Sequence, residues 1–216
     1  MEMKVIAYAR NGFKDKFGIP RQSRPDSVIE TRIVFTEPYR HPDAIRGIEG
    51  FSHLWLLWGF DVPDTDALTV RPPRLGGNTR VGVFATRSPF RPNPIGLTSV
   101  RLLRIENGNL IVSGADLKDG TAIYDIKPYL PWSDSHPEAT GGFAEQARDY
   151  RLKVEWGTAA EGLSHSQKQS LEEILSQDPR PAYQNDPDRI YRLDFDRLNI
   201  AFRVEEDRLF VLAIQA

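Results

Sequence analysis

Glycine and proline cut the first two-thirds of this chain into short apolar segments, and that punctuation restricts the possible folds more than any other feature. The segments cover residues 5–8, 29–35, 53–60, 81–85, 100–105, 110–115 and 122–126. Each has the length of a strand and is too short for a stable helix. The 53–60 segment is apolar on both faces and predicts a central, buried strand. Glu106-Asn107-Gly108-Asn109 separates two alternating segments, and Asn-Gly in that position is the strongest short-range hairpin signal. A helical turn or two is expected at 42–48. Many short strands with Gly/Pro corners favour a closed or nearly closed barrel, because closure removes exposed edges.

The pattern changes after residue 137. Ser164 followed by Gln167 forms a capping box for a helix that carries Leu171, Ile174 and Leu175 on one face. The helix should stop near Asp178-Pro179, because proline disfavours helix at the residue before it. Ile200, Phe202 and Val204 alternate along a strand, residues 205–207 turn, and 209–214 return as a second strand. A small α+β domain is therefore expected over 138–216, after a mainly β domain over 1–137.

Hydrophobic residues at 40% and charged residues at 27% fit a globular protein and argue against disorder. The absence of cysteine removes disulfides, thiolate nucleophiles and Cys-based zinc sites together, and suits a reducing compartment. Residues 1–10 show no signal-peptide pattern, and the longest apolar run is too short to span a bilayer, so a cytoplasmic protein without a membrane partner is expected. The four histidines show no metal-ligand spacing, so no catalytic metal is expected. His53 lies within an apolar run and reads as a buried, hydrogen-bonded histidine rather than a general base.

Net charge is only −2, but it is unevenly distributed. Seven arginines (71, 74, 80, 87, 91, 101 and 104) lie between Arg71 and Ile105 with no acidic residue among them. From Asp134 onward 16 acidic residues face 10 basic ones, a net of −6. Clustered arginine marks a site for an anion, whether phosphate or carboxylate. Around the strand at 81–85, glycine lets backbone amides approach a ligand and proline stiffens the loop.

This same stretch, Gly82-Val-Phe-Ala-Thr-Arg87-Ser-Pro-Phe-Arg91-Pro-Asn-Pro94, resembles the signature of the TrmO methyltransferases, the TsaA-like or YaeB-like family. Four further blocks resemble the family in order: Lys14 to Gln22, Arg46 to Trp55, Leu117 to Thr121 with Asp125 to Pro131, and Gln177-Asp-Pro-Arg180-Pro-Ala-Tyr183. The chain departs from the family at Asn11-Gly12-Phe13, where Ser-Pro-Tyr is common. The resemblance implies a single-sheet β-barrel that binds S-adenosylmethionine (SAM), a homodimer, and a smaller appended domain. It also implies methylation of N6 of threonylcarbamoyladenosine, next to the anticodon of a threonine tRNA. A SAM- or RNA-binding barrel without catalysis, or a methyltransferase with another acceptor, is the alternative.

No Gly-x-Gly-x-x-Gly follows a strand, so SAM would be held by loops over the barrel. Pro20, Arg21 and Gln22 are candidates for the adenine or ribose, Arg87 for the carboxylate, and Phe60 and Leu97 for an apolar wall. Asp125 is a candidate both for the ribose hydroxyls and, with Tyr129, for the catalytic proton acceptor. Arg71, Arg74, Arg91 and Lys127 are candidates for RNA phosphates, with Tyr129 or Trp132 stacking on an extruded base in the anticodon loop. Arg180 reads equally as an RNA contact or as part of a helix-terminating turn.

A division of labour follows. Arg87→Ala should abolish SAM binding, whereas Arg74→Ala should spare SAM and weaken tRNA binding in a salt-dependent way. Calorimetry giving equal SAM affinity in both variants would contradict it.

Overall fold

The computed structural model describes residues 2–215 except Arg21, Asp64, 73–78, 148–149, Ala182, Tyr183 and Asn185, with backbone alone at Gln146 and Ala147. Its strands are β1 (Ala7–Arg10), β2 (Glu30–Phe35), β3 (His53–Gly59), β4 (Thr69–Val70), β5 (Val81–Gly82), β6 (Ile95–Glu106), β7 (Asn109–Ser113), β8 (Ala122–Pro128), β9 (Lys153–Glu155), β10 (Tyr191–Phe195), β11 (Leu198–Glu205) and β12 (Arg208–Gln215). The α-helices are α1 (Pro131–Asp134) and α2 (His165–Ser176). The chain divides into two compact units, one of Met1–Asn11 with Arg21–Tyr129, the other of Gly12–Pro20 with Leu130–Ala216.

The first unit is a closed antiparallel barrel in the order β1-β2-β7-β6-β3-β8, completed where Ala7 pairs with Ile123 and Tyr8 with Ala122. Strand period decides what fills it. Along β3, Leu54, Leu56 and Trp58 point inward and are buried, while His53, Trp55 and Leu57 alternate outward and are half-buried. Ile33, Phe35, Val100, Leu110, Val112 and Ile123 complete the same core. The strand at 53–60 is thus central, but only one face is buried. The expected buried histidine is corrected accordingly: His53 sits on the outer face, with Nδ1 2.9 Å from the Ser52 hydroxyl.

Several local signals hold. Asn107 and Gly108 have φ of 50° and 72°, the two left-handed residues that a tight hairpin requires, and Glu106 pairs with Asn109 across them. The segment at 81–85 keeps only two strand residues before Val83–Ala85 turns into a 3-10 helix. Short 3-10 turns also occupy Pro42–Ile45 and Ile48–Gly50.

In the second unit, β10-β11-β12-β9 form one sheet in which β9 runs parallel to β12. Helix α2 starts with the Ser164/Gln167 capping box and buries Leu171, Ile174 and Leu175. Gly12–Pro20 packs with this sheet. The Phe13 ring lies 5.0 Å from Phe195, and the Phe17 ring lies 6.5 Å from Phe202. Gly18, at φ +87°, passes so close to Leu193 that a Cβ would stand 2.1 Å from its methyl carbon.

Inside the barrel, Gly96 fulfils a packing requirement: a Cβ there would lie 2.2 Å from the Trp58 indole. Gly96→Ala should destabilise the fold by about 1–3 kcal/mol through overpacking, read as a lower urea midpoint with unchanged slope.

Candidate functional site

Two groups of candidate residues come together on the barrel unit. The first is the arginine loop after β5. Val83 anchors it at 1% exposure, and the Thr86 hydroxyl donates to the Val83 carbonyl at 2.8 Å. The Ser88 amide then donates to Thr86 Oγ1, and the Phe90 amide to Ser88 Oγ, both at 3.2 Å. These hydroxyl-closed turns, with Pro89 among them and Pro92 and Pro94 after them, fix the loop locally. Arg91 is half-buried and donates from Nη1 to the Thr86 carbonyl at 3.2 Å, so it staples its own loop. Arg87 is exposed and donates to Gln22 Oε1, which unites two of the candidate cofactor residues across 65 positions of sequence. The loop ends where the Phe60 amide donates to the Pro94 carbonyl at 2.8 Å.

Behind this pair lies a polar relay, rooted in the barrel core, that no sequence motif marks. Trp58 Nε1 donates to Thr98 Oγ1 at 2.9 Å, and the Thr98 hydroxyl donates to Asp116 Oδ1 at 2.6 Å. The Ser23 backbone amide also donates to the Asp116 carboxylate, while Ser23 Oγ donates to the Ser99 carbonyl at 2.6 Å. Burial pushes the Asp116 carboxyl up from the usual carboxylate range; the Thr98 and amide bonds and the Arg87 charge oppose the rise. A carboxyl in Gly114-Ala-Asp116-Leu carries no motif, and only its contacts single it out.

The second group lies on the outer face of β6, β3 and β8. Leu57 pairs with Leu97 on one side and Asp125 on the other, so the three side chains form one outward row. Leu97 is 57% exposed. Lys127, two residues beyond Asp125 on the same face, places Nζ 2.8 Å from Asp125 Oδ2. Asp125 Oδ1 accepts from the Ile126 amide at 2.9 Å. The Tyr129 ring lies 5.4 Å from the Trp55 ring and 6.1 Å from His53. An apolar wall, a carboxylate, an ammonium and a phenol thus share one face, a combination suited to a flat heterocycle bearing a hydroxylated sugar.

Other candidates fall elsewhere. Phe60 is half-buried with its ring 4.3 Å from Trp58, in edge contact. Pro20 is half-buried in the second unit, Arg71 is exposed, and Arg21 and Arg74 lie outside the described residues. The seven arginines are not uniformly available: Arg104 bridges Glu30 at 2.7 and 2.8 Å and also binds Glu106, and its guanidinium holds both carboxyls below their usual range. The acid-free stretch ends at Ile105, one residue before Glu106, and Glu30 is a sheet neighbour 74 residues away along the chain.

Arg180 is 7% exposed and grips Asp178 with two bonds, at 2.8 and 2.9 Å. Asp178 stands at φ 53° just beyond α2 and also accepts from the Tyr150 hydroxyl at 3.1 Å. This geometry favours the helix-terminating turn over the RNA contact. Among the described residues, no group of three or more His, Asp or Glu side chains is placed to hold a metal ion, and no helix is long and apolar enough to cross a membrane.

Comparison with known proteins adds a family. The model of the tRNA-methyltransferase O N-terminal domain matches residues 8–135, and that of the TrmO C-terminal domain matches 149–216. The chain is 38% identical over 229 aligned residues to the tRNA (adenine(37)-N6)-methyltransferase of Escherichia coli (strain K12), covering 99% of this chain and 97% of that protein. It is 44% identical over 173 residues to a protein of the same name from Eikenella corrodens, covering 77% of this chain and 98% of the relative. A crystal structure of TrmO from Pseudomonas aeruginosa superposes with a TM-score of 0.84 at 33% identity, covering 100% of this chain and 98% of that one.

The Arg180 geometry has a measurable consequence. Arg180→Ala should cost stability on the order of 3 kcal/mol by leaving Asp178 without its buried partner, and should leave the salt slope of tRNA binding unchanged. A shallower slope would return Arg180 to the RNA interface.

Proposed function

The chain belongs to the tRNA-methyltransferase O (TrmO) family, and on that premise we propose that it transfers the methyl group of SAM to N6 of adenine 37 in tRNA. The observation that carries this reading is the match of both family domains in order, together with the E. coli relative that covers 99% of the chain. The finer acceptor we propose is threonylcarbamoyladenosine in the anticodon loop of a threonine tRNA. Its N6 is flanked by the purine and a carbonyl, so the N–H is more acidic than in adenine and the lone pair less nucleophilic. Positioning then supplies most of the rate, with modest help from a base.

SAM supplies an electrophilic methyl group on a sulfonium. The Arg87 guanidinium, oriented by Gln22, pairs with its amino-acid carboxylate. Leu57 and Leu97 provide an apolar wall for adenine on the outer face of β3 and β6, while Phe60 packs against core Trp58. Asp125 accepts from the ribose hydroxyls or takes the N6 proton as the N–C bond forms and the S–C bond breaks; Tyr129 is the other proton acceptor. Lys127 and Arg71 face RNA phosphates, with Lys127 also suited to the threonyl carboxylate. Arg91 enters this surface mainly by holding the loop. The barrel within 1–137 carries the cofactor, and 138–216 is the appended α+β domain.

We further place the protein in the cytoplasm as a homodimer. The lack of cysteine supports the compartment, and the apolar side chains exposed on the arginine loop, Phe84 at 78% and Phe90 at 53%, support the dimer.

Labelled methyl transfer from SAM to threonylcarbamoylated and unmodified threonine tRNA tests the reading. Incorporation only into the modified tRNA is expected. No incorporation into either, with SAM still bound, would replace it with a binding protein or with another acceptor.

A further inference from the structure

The buried relay ends on the segment that holds the candidate cofactor contacts. Its direction is fixed by donor count. The Trp58 indole can only donate, so Thr98 Oγ1 accepts at 2.9 Å and has one proton left, which goes to Asp116 Oδ1 at 2.6 Å. Thr98 is 2% exposed and Trp58 7%, so neither bond is exchanged freely with water. Gly96 gives the indole the room to reach Thr98.

On its other side the Asp116 carboxylate receives the Ser23 backbone amide, one residue from Gln22. Two further contacts hold this segment to the barrel. Ser23 Oγ donates to the Ser99 carbonyl at 2.6 Å, and the Arg24 carbonyl crosses Gly114 so closely that a Cβ there would stand 2.7 Å away. Gly114 has φ +83°, so backbone conformation and close approach both demand glycine. Gln22 in turn accepts from Arg87, whose positive charge acts on Asp116. Gln22 and Arg87 are both exposed, and their fixed geometry depends on what lies beneath them.

We propose that Asp116 is a positioning residue for SAM: held by Thr98 and Trp58 from the barrel core, its carboxylate fixes the backbone beside Gln22 and draws in Arg87, so that this pair is set before the cofactor arrives. The inference rests on the SAM-binding role proposed for Gln22 and Arg87. Asp116 acts through those residues and is not itself a catalytic group. Its effect belongs to cofactor binding, while the methyl-transfer step, on the outer face carrying Asp125 and Tyr129, is left alone. Pre-organisation of this kind lowers the ordering cost paid on binding.

The test is methyl transfer by the full-length protein with SAM varied at saturating tRNA, together with calorimetric SAM binding and thermal melting. Asp116→Asn keeps the side-chain size and one acceptor but loses the charge. It should raise KM and Kd for SAM about tenfold, the scale of losing a hydrogen bond to a charged group, with kcat changed less than about twofold. Thr98→Val should show the same split, and Thr98→Ser, which restores the hydroxyl, should recover most of the lost affinity. SAM affinity unchanged in Asp116→Asn, or a fall in kcat with KM constant, would overturn the proposal. If Asp116→Asn does not melt cooperatively, the Thr98 pair decides on the same readouts. Wild-type protein that binds no SAM would instead remove the functional reading on which the inference stands.

Discussion

The pairing of β1 with β8 is the constraint on which the barrel unit depends. It turns a six-stranded sheet into a closed wall with no free edge. A six-stranded barrel has an interior that side chains fill completely, here with Leu54, Leu56, Trp58, Phe35 and Ile123. No ligand can enter that space. Whatever the unit binds must meet the outward positions of its strands or the loops between them. Strand period therefore separates structure from chemistry residue by residue: Leu56 and Trp58 hold the core, while Leu57, between them, faces out beside Leu97 and Asp125.

This separation explains how much of the molecule was legible in its sequence. Signals that act over a few residues read well. The Asn107-Gly108 turn and the Ser164/Gln167 capping box appear where the spacing places them, because both are closed by backbone and side-chain bonds within one turn. The barrel itself could be inferred from punctuation, since short strands with corners have few other ways to cover their edges. What failed was any inference that needed the partner across the sheet. His53 looked buried because its neighbours along the chain are apolar, yet alternation puts it outside. Arg104 looked unpaired within the stretch ending at Ile105, yet it binds Glu106 just beyond it and Glu30, 74 residues away across the sheet.

The candidate site divides along the same line. Arg87 stood out within a dense local motif, Asp125 within a block of the family resemblance, and Leu97 as an apolar candidate for the adenine wall. Asp116 did not, although it collects the Thr98 hydroxyl, the Ser23 amide and the field of Arg87. Each of those donors comes from a different part of the chain, and no window of sequence contains them together. The same holds for Gly12–Pro20, whose Phe13 and Phe17 pack against Phe195 and Phe202 of a sheet formed at the far end of the chain. Tertiary pairing, rather than local propensity, decides such placements.

The concentration of arginine and buried polar contacts around one loop has a physical reason in what the barrel lacks. Enzymes built on doubly wound sheets bring an anionic ligand to the N-terminus of a helix, where free amides and the helix dipole already favour negative charge. Among its described residues the barrel unit has only 3-10 turns of three or four residues, and α2, the longer of the two helices, belongs to the other unit and caps its own first turn with Ser164. Anion recognition on the barrel then falls to loop amides and side chains, and the arginines supply the charge. A guanidinium on a surface loop is strong only if it is held still, because an exposed and mobile ion pair gains little over water. Holding it still requires bonds that reach into the core. The chain from Trp58 through Thr98 and Asp116 to the segment beside Gln22 is such a connection: it starts from two buried groups, Trp58 and Thr98, and reaches the surface through the half-buried Asp116.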